Sequence, residues 1–323
     1  MKKLIIIDAS SLNNAGCLRK FWLSNIQGYR SSAPNSVQIE YGSAFHIFKQ
    51  VYDLHKNADL ALACASNYFT NTPMIYPKGK DWMTGGHLIQ TCEEYLLQPE
   101  DKFKSVVYNG KALVEQTVSI PYYTDDKHEI ILAGTIDDLK RSDCYLIEDV
   151  KTTGTWEIRK YLDGYAMSHQ LMFYRLMVSW LGEHRKGIWE EINRSPVGCA
   201  IYGVFLKKAE PAEFRRSEVF FFTEQRMAEF ESMLKRFIAR IVAAHDQIPE
   251  PEGIISQTCQ GRFEDGKCPF FKACSAPDEI STQHIVNAMF TQATYNPMNF
   301  RSLTPEILTM INTYEQRKAN QTN

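Results

Sequence analysis

Apolar positions recur with a helical period in the first third of the chain and with a two-residue period in the middle third. A short apolar lead, residues 1–8, precedes CLRKFWLSNIQGY, which Ser10 or Ser11 is placed to cap as a helix. A polar turn with Pro34 follows. A second helix is expected from Gly42 (GSAFHIFKQVYDLH), where Gly42, Ser43 and Ala44 permit close approach to a neighbour. Helical patterns over residues 59–70 and 81–97 flank a loop at 72–80. Then LVEQTVSIPYY alternates as a strand with Glu115 on one face, and EIILAGTIDDLK and SDCYLIEDVKT read as the next two strands, joined as a hairpin through 141–143. A long helix is expected from 158 or 165 to 181, strands at CAIYGVFLKK and EVFFF, and a helix capped by Thr223 over 224–245. A cysteine-rich loop spans 259–274, and one or two helices close the chain. The fold class is α/β. The organisation is a helical region over 1–100 carrying Cys17 and His46, a core over 101–250, and a cysteine-rich loop with C-terminal helices over 251–323, packed as one compact unit.

Composition narrows the setting. The 323 residues suffice for a sizeable core, and 44% hydrophobic with 23% charged residues is ordinary for a globular protein. A net charge of −2 excludes a global basic field, so any nucleic-acid contact must come from local patches. No run is long enough to span a bilayer, and Asp8 ends the apolar stretch at 4–7 too early for a signal peptide, despite the NAGC at 14–17. A reducing cytoplasm is therefore expected, with the eight cysteines not read as disulfides.

The candidate chemistry lies in GTIDDLKRSDCYLIEDVKTTGTW and the helix after it. Strand ends can set the Asp137 and Asp149 carboxylates at one sheet edge, an oxygen donor set suited to Mg²⁺ or Mn²⁺. Lys151, two positions from Asp149, points to the same strand face, where an ammonium can hold an attacking water and offset phosphate charge. Gln170 and Tyr174 are four apart on one helix face. A lone D-x-K is more often a surface ion pair, and a lone His46 more often a satisfied core histidine. Basic residues beside aromatics at Arg19-Lys20-Phe21-Trp22, Lys207-Lys208 and Arg215-Arg216 fit a strand-tracking groove or, singly, solvated surface.

Taken together, GTID, EDVKTT, Q-x-x-x-Y and the preceding G-S-A-F-H resemble the PD-(D/E)XK nuclease superfamily, in its RecB-like branch. The resemblance covers about residues 10 to 275. It implies a central mixed sheet flanked by helices and hydrolysis of DNA phosphodiester bonds. It also implies that His46, Asp137, Asp149 and the Val150 carbonyl bind Mg²⁺ or Mn²⁺, with Lys151 positioning water. Gln170 and Tyr174 would support the site or touch DNA, and Glu115 would serve a second metal. Cys17, Cys259, Cys268 and Cys274 are similar to the one-plus-three cysteines of CRISPR-adaptation and AddB-type nucleases, with CPFFKAC the matching ending. From spacing alone, zinc and iron stay open; the resemblance implies a [4Fe–4S] cluster stapling the two ends of the chain. The first gap, Gln260 to Lys267, is longer than the family's usual two residues. No G-x-x-x-x-G-K-[ST] motor motif appears, so an exonuclease on single-stranded or duplex ends in recombination or repair is expected, with a helicase or recombination partner and with oligomerisation open. The alternatives are a CRISPR-adaptation nuclease and a non-cleaving DNA-binding module of a larger complex.

Overall fold

The computed structural model describes residues 2–12, 16–244, 268–293 and 303–322. The main elements in chain order are β1 (Lys3–Ile7), α1 (Val37–His55), α2 (Ala58–Asn71), α3 (Gly85–Leu96), β2 (Val114–Thr124), β3 (His128–Arg141) and β4 (Tyr145–Thr153). They continue with α4 (Ile158–Asp163), α5 (His169–His184), α6 (Ile188–Asn193), β5 (Val197–Phe205), β6 (Glu213–Arg216), α7 (Glu224–Ala244), α8 (Glu279–Met289) and α9 (Pro305–Thr322).

The chain divides into two compact units. One comprises Met1–Ala33, Ser119–Gly134 and Thr223–Asn299; the other Pro34–Val118, Thr135–Phe222 and Phe300–Asn323. These interleaved segments differ from the consecutive regions 1–100, 101–250 and 251–323, because β2 and β3 each run from one unit into the other.

In the first unit β1 lies parallel to the start of β3, with Lys3 opposite His128 and Ile7 opposite Leu132. The helical stretch Leu18–Phe21 continues through Trp22–Ile26, and Phe21 meets Phe237 of α7 edge-on at 5.2 Å. Leu23, Cys268, Phe270 and Phe290 form a small core of their own.

The second unit carries a mixed sheet: β3 and β4 antiparallel, β4 and β5 parallel, β5 and β6 antiparallel. The parallel β4–β5 pair needs a crossover, which α4 to α6 supply. Val150 and Val204 pack with α1, α2, α3 and α9 around Tyr41, Phe45, Phe48 and Ile307, while α5 sets its Leu171 carbonyl against Cys199 of β5. Strand burial is nearly continuous in β4 and β5, as expected of strands covered on both faces.

Several local expectations are corrected. The second helix starts at Val37, five residues before Gly42. The long helix is interrupted: Ser168 accepts from Leu171 N at 3.4 Å and caps α5 afresh. EVFFF is not a strand. Phe220 makes a lone bridge to Cys199, and the ladder partner of β5 is Glu213–Arg216.

Candidate active site

The site forms where the β3–β4 hairpin opens. Its ladder ends at Glu148 opposite Asp138. Beyond that pair, Val150 N–H donates to Asp137 Oδ2 at 2.7 Å, so a side chain satisfies a backbone donor the ladder has released. The Val150 carbonyl, on the same edge, lies 3.1 Å from His46 Nε2.

Helix α1 delivers His46 because one of its turns comes very close to β4. A Cβ on Gly42 would sit 2.9 Å from Thr152 Oγ1. His46 Nδ1 lies 3.2 Å from Glu115 Oε1 and 3.7 Å from Asp137 Oδ2. Glu115 reaches it from a left-handed backbone, φ 48°, which a non-glycine residue rarely adopts and which costs about 1–3 kcal/mol. His46, Glu115 and Asp137 each offer a ligand atom, all within 4.8 Å of one another. A nitrogen and two carboxylate oxygens beside a carbonyl are a fitting donor set for Mg²⁺ or Mn²⁺.

Asp149, by contrast, is turned to its neighbours. Lys151 Nζ is 2.6 Å from its Oδ2, and Gln170 donates to its Oδ1 at 2.8 Å. Gln170 also donates to the Tyr174 hydroxyl at 3.2 Å. The donor set that converges is thus His46–Glu115–Asp137, with Glu115 among the first three rather than apart, and Asp149 alongside.

Electrostatics follow from acids crowded in a dry place. Burial, with the Asp137 charge adding and Lys151 opposing, pushes the Asp149 carboxyl up to about 6. Burial also raises Asp137 above the usual carboxylate range, with the Glu115 charge adding. For His46 burial acts downward, but Asp137 and Glu115 outweigh it and lift the imidazole to about 9. Lys151 is likewise raised by Asp149 and Asp137 against burial. His46 thus holds a proton beside the place a cation would take.

Several of the residues suggested for a strand-tracking groove are engaged within the fold. Phe21 is buried against Phe237, and Arg216 is spent on Glu148 at 2.6 Å and on Asp101. Lys207 pairs with Glu210 and Glu213, and Arg215 with Glu213. Of the four candidate cluster ligands, Cys259 lies outside the described residues. Cys17 and Cys268 are buried in the first unit, close enough for their charges to interact, and Cys274 packs beside Cys268. Among the described residues no three cysteines bring their sulfurs within 4.8 Å of one another. Cys64, Cys92 and Cys199 are buried thiols of the other unit, and Cys144 there is only partly buried.

Two features escaped the sequence reading. One is a buried ion network next to the site: Lys49 on Asp138 and Asp53 at 2.7 Å each, and Lys140 on Glu148 at 2.6 Å. Its signal was the doubling of acids, Asp137-Asp138 and Glu148-Asp149, since adjacent strand residues face opposite ways and both faces here are buried. The other is Tyr161 and Tyr165, whose hydroxyls are 3.0 Å apart; their four-residue spacing after the D-x-K strand was the available sign.

The description of the PD-(D/E)XK nuclease superfamily matches residues 10–275. No curated protein matches the chain. A solved structure described as "Crystal structure of SSO0001" is 12% identical, over 80% of this chain and 94% of that chain; its TM-score of 0.29 is too low to bear on the site.

Proposed function

The chain belongs to the PD-(D/E)XK nuclease superfamily, which makes it a nuclease, and from that premise we propose that it is a divalent-metal-dependent DNA exonuclease of the RecB-like branch. The observation that carries this is the meeting of His46, Glu115 and Asp137 within 4.8 Å, with Lys151 on Asp149 beside them. His46, Asp137, Glu115 and the Val150 carbonyl hold Mg²⁺ or Mn²⁺, with Asp149 completing the set as its proton leaves. The bound cation supplies charge that polarises the phosphate and acidifies a water. Lys151 orients that water and offsets charge on the phosphate, while Asp149 anchors the ammonium. Gln170 fixes the Asp149 carboxylate, and Tyr174 fixes Gln170. Single-stranded or duplex ends are the substrates, in recombination or repair, in the cytoplasm, with a helicase or recombination partner supplying any motor.

The test is degradation of end-labelled single-stranded DNA in Mn²⁺ by wild type beside Asp149→Ala. Loss of at least about a hundredfold in the variant is expected, the scale of a removed acid–base group. Equal degradation by both proteins sinks the assignment; tight binding without cleavage by wild type favours a non-cleaving module.

A [4Fe–4S] cluster on Cys17, Cys259, Cys268 and Cys274 is the accompanying proposal. It rests on the cysteine pattern and on the nearness of Cys17 to Cys268. Purification without oxygen should give a brown protein with about four irons per chain; a colourless protein with stoichiometric zinc replaces iron by zinc, and one with neither metal removes the site.

A further inference from the structure

Between β4 and α5 the chain makes a short excursion that begins and ends at the acid–lysine pair. It leaves from Lys151, passes Gly154 and Trp156, and returns through α4. Tyr161 comes back to the neighbourhood of Lys151, and Tyr165 to that of Asp149. The two tyrosines are locked together, hydroxyls 3.0 Å apart and rings edge-on at 5.3 Å, and Tyr161 also meets Phe205 edge-on at 5.8 Å. Trp156 is different. Its side chain is 77% exposed, and among the described residues no other ring packs against it. A large exposed indole, five residues along the chain from Lys151, offers an open π-face.

Charge nearby limits what covers it. The Lys80 ammonium sits over Gly154, 3.6 Å from where a Cβ would stand, two residues before Trp156. Lys151 lies five residues before it, within about 17 Å along an extended chain. On α4 the charges balance: Lys160 with Glu157 at 3.2 Å and Arg159 with Asp163 at 3.7 Å. Lys80 beside Gly154 puts a cation near the chain that carries the exposed indole, a combination that suits a strand of alternating phosphates and bases.

We propose that Trp156 is a base-stacking platform that selects an unpaired nucleic-acid strand, holding a base a few nucleotides from the bond cut beside Asp149 and Lys151. The proposal rests on the nuclease reading above and narrows its substrate to strands whose bases are unpaired at the site. A base inside a duplex keeps both faces covered by its neighbours and cannot use the indole; a free strand offers a face at every nucleotide, without sequence preference. The tyrosine pair, with Tyr161 against Phe205, ties down the returning arm of the excursion.

The experiment compares the full chain with Trp156→Ala, Trp156→Phe and Asp149→Ala. Fluorescence anisotropy of a labelled single-stranded oligonucleotide in Ca²⁺, which holds the site without cleavage, gives affinity. Cleavage in Mn²⁺ gives KM and kcat on single-stranded and on blunt duplex DNA. Trp156→Ala should weaken binding of the single strand, and raise its KM, about tenfold, with kcat changed much less, while Trp156→Phe stays within about threefold of wild type. Blunt duplex should respond less than the single strand. Unchanged single-strand affinity in Trp156→Ala overturns the platform even while Asp149→Ala is inactive, which leaves the nuclease standing. An equal loss on both substrates overturns the selection for unpaired bases. If wild type cleaves neither substrate, the nuclease reading fails by itself, and the anisotropy series still decides the platform.

Discussion

His46 is where the chemistry of single residues is most exposed to test. Its imidazole stands at about 9, above an ordinary value near 6.5, because Asp137 and Glu115 hold the charged form despite burial. A raised folded value means that the imidazolium stabilises the metal-free fold fully below pH about 6.5 and that this contribution fades as pH rises through about 9. A divalent cation competes for the same place and needs the proton gone. Asp149, at about 6, gives up its own proton lower in the range. Mn²⁺ binding measured by calorimetry should therefore tighten with pH, by up to about tenfold per unit between pH 6 and 8, with proton release in the binding heat. His46→Ala should flatten the slope above pH 7. A wild-type affinity independent of pH would mean that the cation does not displace these protons. The sequence named His46, Asp137 and Lys151 because each stands in a short recognisable run. It did not place Glu115 in the first triad, because a left-handed backbone at a glutamate leaves no trace in a strand-like pattern.

At the scale of elements, alternation and helical period carry far, and they fail where a partner decides. The hairpin was legible because its strands alternate and its turn is polar. The start of α1 was not, since Val37 and Tyr41 complete an apolar face with residues beyond Gly42 only once α2 and α3 are packed against it. EVFFF has strong β-propensity, yet β6 takes only the Tyr202–Phe205 stretch of β5, and the chain beyond it bridges the strand again at Cys199 alone, so Phe220 makes one bridge and no ladder. Close approach is equally invisible until both surfaces exist. Gly42 lets α1 settle on β4, and Gly182 does the same for α5 on α6. A Cβ on Gly182 would fall 2.2 Å from the Asn193 Cβ and 2.7 Å from the Trp189 carbonyl oxygen. Alanine normally gains about 1 kcal/mol over glycine inside a helix, but here a backbone oxygen blocks the methyl and overpacking of about 1–3 kcal/mol opposes the gain. Gly182→Ala should lower the melting temperature by a few degrees and, because α5 carries Gln170 and Tyr174, reduce cleavage as well. A more stable variant would show that α6 yields freely.

Over the molecule as a whole, the sequence supplied the α/β class but not the two interleaved units, which depend on where two long strands pass from one packing neighbourhood to another. Nor did it supply the charges that bind the site-bearing unit together. Asp138 and Glu148 are fully buried and directly opposite each other in the hairpin, a repulsive pair by itself. Lys49 from α1, Lys140 from β3 and Arg216 from β6 neutralise them, with Asp53 and Asp101 at the margins. Glu148 sits below the usual carboxylate range because Lys140 and Arg216 outweigh burial, and Asp53 does so through Lys49. Depressed folded values contribute stability that is present above the unfolded values near 4 and is lost as pH falls below them. Asp138, raised by burial, acts the opposite way, as do Asp137 and Asp149 in the site, while Asp101, held down by Arg216 and Lys140, joins Glu148 and Asp53. The melting temperature should therefore fall steeply between pH 5 and 3. Arg216→Met separates the ion pair from generic acid unfolding. At pH 7 it leaves Glu148 short of a partner in the interior, at a cost of about 3–5 kcal/mol. The same loss lifts Glu148 toward protonation, so the variant takes up a proton that relieves the penalty earlier than wild type does. The gap in melting temperature between the two proteins should accordingly narrow as pH drops from 7 to 4. A gap that stays constant over that range would mean that Arg216 supports the sheet by packing against Phe103 and Tyr202, with its charge contributing little.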